Sequence, residues 1–312
     1  MNFSDLNLQV PSPLQRMSSP LFDDKGLRVF IKRDDMIHSA ISGNKWRKLK
    51  GNLLKAEANG AKTIITFGGA FSNHLAATAA ACRALDLPCV GLVRGEIDVF
   101  NPTLFFCSSM GMKLISIPRQ QYRDKLCCDQ TQMLISAFPN PYVIPEGGTN
   151  QEAFMGVGEL WHELANQLKS INYIILASGT GGTAAGLLQN LVIPTKVISI
   201  PVLKGGFMKD MILKWCKPEM ADKLDVIDGY HFGGYAKDDP ILDKFIRDFR
   251  QRFEIDLDSV YTGKAMYALF DLVKQDYFPS GSNIVFIHTG GLQGMDGKAY
   301  MRQKKSENEG IS

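Results

Sequence analysis

The segment at residues 178–183 has a residue pattern that suits the binding of a phosphate group. It reads Ser-Gly-Thr-Gly-Gly-Thr and follows an apolar run that ends in small residues. A glycine-rich turn that opens a helix points several backbone N–H groups at one spot, where the helix dipole adds positive potential. The hydroxyls of Thr180 and Thr183 can add further hydrogen bonds. The pattern therefore favours a cradle for a single phosphate.

Two other interpretations of this segment are open. Any single loop of this kind can be a tight turn that needs glycine for a positive φ. The spacing of Gly179, Gly181 and Ala184 also fits the G-x-G-x-x-A pattern of dinucleotide binding. That pattern requires a carboxylate for the ribose at the end of the next strand, and the next predicted strand ends without one. A nucleotide-dependent oxidoreductase is therefore less favoured than a protein that binds a single phosphate.

A lysine follows a second glycine-bearing loop. The loop at residues 42–44 ends in Asn44, which can cap a helix, and it places Lys45 near the helix N-terminus. The positive potential there, together with nearby Arg47 and Lys48, is expected to lower the pKa of the Lys45 amine. Lysines activated in this way form Schiff bases with carbonyl compounds. A lone lysine of this kind is more often part of a solvated first turn, so the assignment depends on the other loops.

Ser72 and Asn73 stand at the start of an alanine-rich, helix-like stretch at residues 74–85. Either residue can be a helix N-cap, which is the simpler interpretation of each alone. The functional alternative gives Asn73 a hydrogen bond to the ring hydroxyl of a cofactor. It also places Ser72 beside the carboxylate of a substrate.

These loops follow strand-like segments of a predicted α/β fold. Apolar runs alternate with segments of helical period, which predicts βαβ units and mostly parallel sheets covered by helices on both faces. Ligands of such sheets bind beyond the carboxyl ends of the strands. Because five of these ends carry glycine-rich turns, we expect one broad polar site. The predicted strands are residues 29–32, 63–67, 89–93, 113–117, 142–144, 173–177, 196–202, 226–228 and 284–288.

Composition and charge argue against several classes of protein. The chain has 312 residues, of which 45% are hydrophobic and 21% charged, so it can bury a large core. Its net charge of +3 is too small to indicate nucleic acid or a membrane surface as a partner. No apolar run approaches the length of a membrane span, and the first residues lack the pattern of a signal peptide, so we expect a cytoplasmic protein. The histidines and cysteines show no metal-binding spacing, and no metal site is expected.

Eight motifs, in order along nearly the whole chain, resemble the fold-type II pyridoxal-phosphate (PLP) enzymes of the tryptophan synthase beta-like superfamily. Within that superfamily they resemble the D-cysteine desulfhydrase and 1-aminocyclopropane-1-carboxylate (ACC) deaminase family. One such motif would mean little, but eight in the same order are highly specific. They are Lys32-Arg33-Asp34-Asp35, Gly43-Asn44-Lys45-x-Arg47-Lys48-Leu49, Ser72-Asn73-His74, Pro145-Glu146-Gly147-Gly148, Gly179-Thr180-Gly181-Gly182-Thr183, Gly234-Tyr235, Tyr261-x-Gly263-Lys264-x-Met266 and His288-Thr289-Gly290-Gly291.

The resemblance implies a fold and a set of site residues. The fold would be a two-domain, three-layer αβα arrangement with mostly parallel sheets, with a large PLP-binding domain at residues 1–45 and 155–312 and a small domain at 46–154. Lys45 would carry the cofactor as a Schiff base, and Lys48→Ala should then largely keep both cofactor and turnover. The catalytic residues would be Lys45, Ser72, Tyr235 and Tyr261. The cofactor contacts would be Lys45, Asn73 at the ring oxygen, Gly179, Thr180, Gly181, Gly182 and Thr183 at the phosphate, Tyr235 beside the ring and Thr289 at the pyridine nitrogen.

Two positions divide the family by substrate. ACC deaminases typically carry a glutamate and a leucine where this chain has Thr262 and Thr289. The two threonines favour α,β-elimination from a small amino acid such as D-cysteine, giving pyruvate, ammonia and sulfide. ACC deamination to 2-oxobutanoate and ammonia is the alternative. Phe71 and Ala76 depart from the family pattern and keep open a PLP-binding protein without turnover. The resemblance also implies a homodimer, while the small net charge and the missing membrane span argue against a nucleic-acid or membrane partner.

Overall fold

The described part of the chain contains two separate sheets, with six strands in one and four in the other. The structure, a computed structural model, describes residues 2–41, 43–191, 194–292, 297, 299–301, 303–304 and 306. In chain order the strands are β1 (Leu14–Met17), β2 (Arg28–Lys32), β3 (Thr63–Gly68), β4 (Cys89–Arg94), β5 (Lys113–Ile117), β6 (Pro141–Ile144), β7 (Tyr173–Ser178), β8 (Lys196–Pro201), β9 (Leu224–Val226) and β10 (Asn283–Ile287).

Helices connect most of the strands, and several begin at clear local signals. The side chains of Asn101 and Asp239 each accept two backbone N–H bonds at a helix start, and each is followed by a proline. The α-helices within the described residues are α1 (Pro20–Asp24), α2 (Asn44–Ala58), α3 (Asn73–Ala84), α4 (Pro102–Ser109), α5 (Arg119–Asp124), α6 (Asp129–Ser136), α7 (Gln151–Gln167), α8 (Gly182–Asn190), α9 (Met208–Leu213), α10 (Pro240–Phe253) and α11 (Thr262–Lys274).

The sheets are almost entirely parallel. The larger sheet has the order β1-β2-β10-β7-β8-β9, in which only the β1–β2 pair is antiparallel. The smaller sheet has the order β5-β4-β3-β6, with parallel pairs throughout. Strands β3 and β10 are buried along their whole length, as expected when helices cover both faces. The predicted α/β fold is confirmed, and the edge strand β1 is an addition to it.

Each sheet forms the middle of three layers. On the larger sheet, α1, α10 and α11 pack against one face, and α7 and α8 pack against the other. On the smaller sheet, α2, α3 and α4 cover one face, while α5 and α6 cover the other. The predicted αβα layering is therefore present in both sheets.

Helices α2 and α7 approach each other closely because glycines lie at their crossing. A Cβ built on Gly51 would lie 1.9 Å from the carbonyl oxygen of Glu152, and one on Gly156 would lie 2.1 Å from that of Arg47. The strands of the smaller sheet all lie between residues 63 and 144, with those of the larger sheet on either side in sequence. The domain bounds at 45 and 155 stay a prediction, and residue 155 lies inside α7.

Membrane and metal features can be assessed for the described residues only. Among the helices that the structure describes, none is both long and apolar enough to cross a membrane. In the same part of the chain, no three His, Cys, Asp or Glu side chains are grouped so that they could hold a metal ion. All six cysteines are free thiols.

Candidate functional site

A cavity of about 560 Å³ lies at the carboxyl ends of strands from both sheets. The loops that follow β3, β6, β7 and β10 contribute to its wall, as the glycine-rich turns predict. All of the site residues predicted from the sequence meet at this wall. They are Lys45, Ser72, Asn73, Gly179, Thr180, Gly181, Gly182, Thr183, Tyr235, Tyr261 and Thr289. The individual roles assigned to these residues stay predictions.

Lys45 is the second residue of α2 and is placed by the turn after β10. Gly43 precedes the helix with a φ of 65°. A Cβ on Gly43 would lie 1.9 Å from the carbonyl oxygen of Thr289, so only glycine fits there. The backbone N–H of Asn44 donates to the same oxygen at 3.2 Å. The start of α2 is therefore held directly against the end of the larger sheet.

The side chain of Asn44 differs from the helix cap predicted from the sequence. Asn44 is itself the first residue of α2, and the cap position is occupied by Gly43 without a side-chain hydrogen bond. Its amide instead donates to the hydroxyl of Thr183 at 3.0 Å. Asn44 thus links the helix of Lys45 to the glycine-rich turn at the start of α8. Ser42, which opens this loop, lies outside the described residues.

The pKa of the Lys45 amine is lower than that of an exposed lysine. Its side chain is half-buried at the cavity wall. Loss of solvent lowers the pKa of Lys45 to about 8, although the carboxylate of Asp258 acts in the opposite direction. About half of the Lys45 amines are therefore neutral near pH 8, and the neutral amine is the form that attacks a carbonyl. Burial, rather than the helix terminus, is the largest cause of the shift.

We expect the reactivity of Lys45 in the cofactor-free protein to rise with pH and to reach half its maximum near pH 8. Only the unprotonated amine attacks an acylating reagent, and a lowered pKa makes that form abundant at lower pH than in an exposed lysine. Brief acetylation from about pH 6 to about pH 10, followed by mass spectrometry of the Lys45 peptide, measures the profile. The exposed Lys204 supplies the reference within the same sample. A Lys45 profile identical to that of Lys204 would contradict the effect of burial.

The glycine-rich turn after β7 lies on the cavity wall at the start of a helix. Strand β7 ends at Ser178, and α8 starts at Gly182 after Gly181, which has a φ of 72°. The first N–H groups of a helix lack partners within the helix and carry positive potential. On the other side of the turn, a Cβ on Gly179 would lie 3.1 Å from Cε1 of Tyr261. The turn is thus enclosed by side chains while its N–H groups line the cavity.

Lys48 is a cavity residue that the sequence interpretation treated only as a neighbour of Lys45. It lies one helical turn further along α2 and is 2% exposed. Its Nζ donates to the carbonyl oxygen of Gly147 (3.2 Å) and to the hydroxyls of Thr149 (3.0 Å) and Thr180 (3.4 Å). These acceptors are neutral, and burial lowers the pKa of Lys48 well below its usual value. A buried amine with only neutral partners among the described residues is ready to bind an external anion.

Asp258 organises the turn that brings Tyr261 to the cavity. Its buried carboxylate accepts backbone N–H bonds from Val260, Tyr261 and Thr262. The Tyr261 hydroxyl lies 3.3 Å from that of Tyr235. Burial raises the pKa of Tyr261 well above its usual value, so this hydroxyl stays protonated at neutral pH. Asp258 has no recognisable motif of its own, but its position three residues before Tyr261 is the signal that could have found it.

The sequence comparison used Thr262 to distinguish substrates, but the structure places this residue away from the described cavity wall. The residue is fully buried, and its hydroxyl donates to the Asp258 carboxylate at 2.7 Å. It also accepts a bond from the Asp258 N–H at 2.9 Å. Thr262 is not part of the cavity wall formed by the described residues, whereas Thr289 is. A direct acid–base role of Thr262 is therefore not supported, and Thr289 carries the comparison alone.

His74 presents an unpaired acceptor at the cavity. The Thr66 hydroxyl donates to the carbonyl oxygen of Ile144 at 2.9 Å, so it accepts from Nε2–H of His74, also at 2.9 Å. This assigns the proton to Nε2 and leaves Nδ1 as a buried acceptor with no partner among the residues described. Burial, with the charges of Lys45 and Lys48, lowers the pKa of His74 well below its usual value. The imidazole is therefore neutral at neutral pH.

The family model for pyridoxal-phosphate dependent enzymes matches residues 7–290 of the chain. The chain belongs to this family. A solved structure described as an ACC deaminase homologue is 31% identical, with a TM-score of 0.79 over 94% of this chain and 95% of its own. A hydrogen sulfide-producing enzyme from Fusobacterium nucleatum is 17% identical, with a TM-score of 0.71 over 94% and 99%. Threonine deaminase isoform 2 from Solanum lycopersicum is 16% identical, with a TM-score of 0.67 over 92% and 81%. The last two share the fold.

The cavity of this PLP enzyme fits its cofactor. Lys45 offers an amine with a pKa of about 8 to the aldehyde. Lys48, a buried amine with neutral partners, and the turn at residues 179–183 offer donors to the phosphate. Thr289 offers a hydroxyl at the end of β10 for the pyridine nitrogen. The expectation that Lys48→Ala would be harmless therefore changes, because Lys48 lies where the phosphate would be held.

A buried charge network fixes the start of α2, the helix that contains Lys45. Arg47 pairs with Asp34 (Nε–Oδ2 2.6 Å) and with Glu163 (Nη1–Oε1 2.9 Å). Lys32 also pairs with Glu163 at 2.6 Å, and the Ser12 hydroxyl donates to Asp34 at 2.6 Å. Removing one member of such a network leaves a buried charge uncompensated, at a cost of about 3–5 kcal/mol. Arg47 thus positions α2 and is not among the cavity-wall residues that the structure describes.

Proposed function

We propose that this PLP enzyme catalyses α,β-elimination from a small β-substituted amino acid such as D-cysteine. With D-cysteine, the Cα–H and Cβ–S bonds break, water is consumed, and the products are pyruvate, ammonia and hydrogen sulfide. The observation that carries the proposal is Thr289, whose neutral hydroxyl lines the cavity after β10. A hydroxyl there, in place of a carboxylate, leaves the pyridine nitrogen unprotonated. This weaker electron sink suits substrates with a good leaving group.

The residues around the cavity can perform the proton transfers that elimination requires. Bound PLP supplies the electron sink for charge that develops at the substrate Cα. Lys45, with a pKa of about 8, is partly neutral at working pH and can accept the proton from Cα. Tyr261 stays protonated and can donate a proton to the departing sulfur. The Tyr235 hydroxyl lies 3.3 Å from the Tyr261 hydroxyl and is the next group in this proton-transfer chain.

The substrate carboxylate would lie at the start of α3. Ser72 is the N-cap of this helix, and its hydroxyl accepts from the N–H of Leu75 at 3.3 Å. Ser72 forms the cap hydrogen bond and also lies on the cavity wall. It can therefore be both a helix cap and a residue beside the substrate carboxylate. The first N–H groups of α3 and its dipole favour a negative charge at this end. Asn73, the first residue of α3, would bond the ring oxygen of the cofactor.

ACC deamination to 2-oxobutanoate and ammonia is the second candidate function. It is favoured by the 31% identity to the structure described as an ACC deaminase homologue. Thr289, on the cavity wall, stands where ACC deaminases typically carry leucine. This difference in the cavity wall makes elimination the better-supported activity.

We expect pyruvate from D-cysteine, D-serine and β-chloro-D-alanine, and little 2-oxobutanoate from ACC. A coupled assay with lactate dehydrogenase measures pyruvate, with the L-enantiomers as the matched comparison. Turnover of ACC equal to that of the best D-amino acid would overturn elimination in favour of the second candidate. No product from any of these compounds would favour the PLP-binding protein without turnover.

Two further proposals concern the state of the enzyme in the cell. We propose a homodimer, supported by the exposed apolar side chains of Val99, Phe100 and Phe105, which are 65%, 78% and 65% exposed. We also propose a cytoplasmic location, in which its free thiols would stay reduced. Sedimentation equilibrium of the purified enzyme tests the first proposal, and fractionation of cells tests the second.

A further inference from the structure

Arg94 is a cation on the cavity wall, beside the loop that would hold the substrate. It is the last residue of β4, and its Cζ lies 5.7 Å from the centre of the Tyr122 ring. A Cβ built on Gly69 would lie 3.4 Å from Nη2 of Arg94. The guanidinium is therefore next to the turn at residues 69–73, which leads into α3. That turn would hold the carboxylate of the amino-acid substrate.

The Arg94 charge is not neutralised by any group in the described part of the chain. The face of the Tyr122 ring attracts the guanidinium but leaves its N–H edges free. Glu146 also lines the cavity, but it is paired with Lys125 at 3.0 Å. No ion pair or side-chain hydrogen bond to Arg94 occurs among the described residues. Within the described part of the chain, the guanidinium edge is therefore available to a ligand.

The cofactor does not account for this cation. Among the residues that the structure describes, the cations on the cavity wall are Lys45, Lys48 and Arg94. The first would bind the cofactor aldehyde, and the second would bind the phosphate together with the turn at residues 179–183. Arg94 comes from the smaller sheet, at the turn that precedes Ser72. Its charge is therefore available to a substrate.

We propose that Arg94 binds a second anionic group at the side-chain end of the substrate. This inference rests on the proposed elimination and names its substrate class: amino acids with an oxyanion such as sulfate or phosphate on Cβ. A guanidinium donates two parallel N–H bonds to such oxyanions. With O-phosphoserine, the Cα–H and Cβ–O bonds break, and the Cβ–O electron pair leaves with phosphate. Water supplies the keto oxygen, and the products are pyruvate, ammonia and phosphate.

Aspartate and asparagine test this site directly, because they have the same shape and differ in side-chain charge. Calorimetry of the PLP-loaded enzyme with the D- and L-forms of both measures the two affinities. Wild-type enzyme binds aspartate at least about tenfold more tightly than asparagine if a charge-assisted bond forms. Arg94→Gln removes this preference and leaves asparagine unchanged, while Arg94→Lys keeps part of it. Arg119→Gln is the matched control, since Arg119 is exposed, near Gly95, and is not among the wall residues described.

Equal loss of aspartate and asparagine binding in Arg94→Gln would overturn the inference, because it would assign Arg94 to the α-carboxylate that both share. Equal binding of both by the wild-type enzyme would overturn it as well. If Arg94→Gln does not fold, the test is Arg94→Lys, which should keep only part of the wild-type preference for aspartate over asparagine. An unchanged preference in that variant would overturn the inference. Turnover separates this inference from the proposed function. If the enzyme forms pyruvate from O-acetylserine, but its rate with O-phosphoserine is no higher than that of the Arg94 variants, the role of Arg94 is overturned and elimination stands. Arg94-dependent aspartate binding without pyruvate from any substrate would support the anion site and overturn elimination.

Discussion

Lys45→Ala is expected to abolish both the covalent attachment of PLP and turnover. Lys45 lies on the cavity wall with a partly neutral amine, and it would be the acceptor of the Cα proton. Loss of a proton-transfer group alone lowers a rate by about 10²–10⁴-fold, and loss of attachment adds to this. The visible absorbance of the dialysed protein reports attachment, and the pyruvate assay reports turnover.

The matched control is Lys55→Ala, because Lys55 is an exposed lysine in the last turn of the same helix. This variant should keep full absorbance and full activity. Retention of a stable, PLP-dependent absorbance in Lys45→Ala after dialysis would contradict the assignment. Activity in that variant within a few fold of the wild type would do so as well.

Lys48→Met is expected to weaken PLP binding by about 10- to 100-fold, because it removes a hydrogen bond to the phosphate, whose negative charge would favour the protonated form of the amine. Methionine keeps the apolar length of the side chain and removes the amine that three neutral oxygens now hold. Titration of the cofactor-free protein measures the affinity for PLP and for pyridoxal, which lacks the phosphate.

The comparison of the two ligands makes the Lys48 test specific. The wild-type protein should prefer PLP strongly over pyridoxal, and Lys48→Met should lose most of that preference through weaker PLP binding alone. Equal weakening of both ligands would show that Lys48 supports the fold of the cavity and does not hold the phosphate. Lys50→Met, on the same helix and half-buried outside the described cavity wall, is the matched control.

Most of the site could be predicted from the sequence because several of its loops follow runs typical of buried strands. The runs that become β3, β7 and β10 are mostly apolar and lead within a few residues into glycine-rich turns, so the sequence predicts their carboxyl ends. The edge strand β1 is half exposed and carries Gln15 and Arg16, which do not have the alternating pattern of a strand. Its pairing depends on β2 and is a tertiary effect.

The role of Lys48 could have been found from the helical period. Residues three apart on a helix share a face, so Lys45 and Lys48 point into the same cavity. Arg47 lies on another face, and its partners Asp34 and Glu163 are 13 and 116 residues away in sequence. No local sequence pattern predicts that Asp34 and Glu163 pair with Arg47. The same holds for Thr262, whose burial against Asp258 follows from a turn that the sequence does not mark.

The central claim, that Lys45 carries PLP, is tested most directly by borohydride reduction of the holoenzyme. Reduction makes the bond between the cofactor and its lysine permanent, and digestion with mass spectrometry locates the modified residue. Fragmentation of the peptide separates Lys45 from Lys48, which lie three residues apart. We expect the phosphopyridoxyl group on Lys45 alone, at close to one per chain. Its presence on Lys48 or on any lysine outside the cavity, with Lys45 unmodified, would contradict the claim.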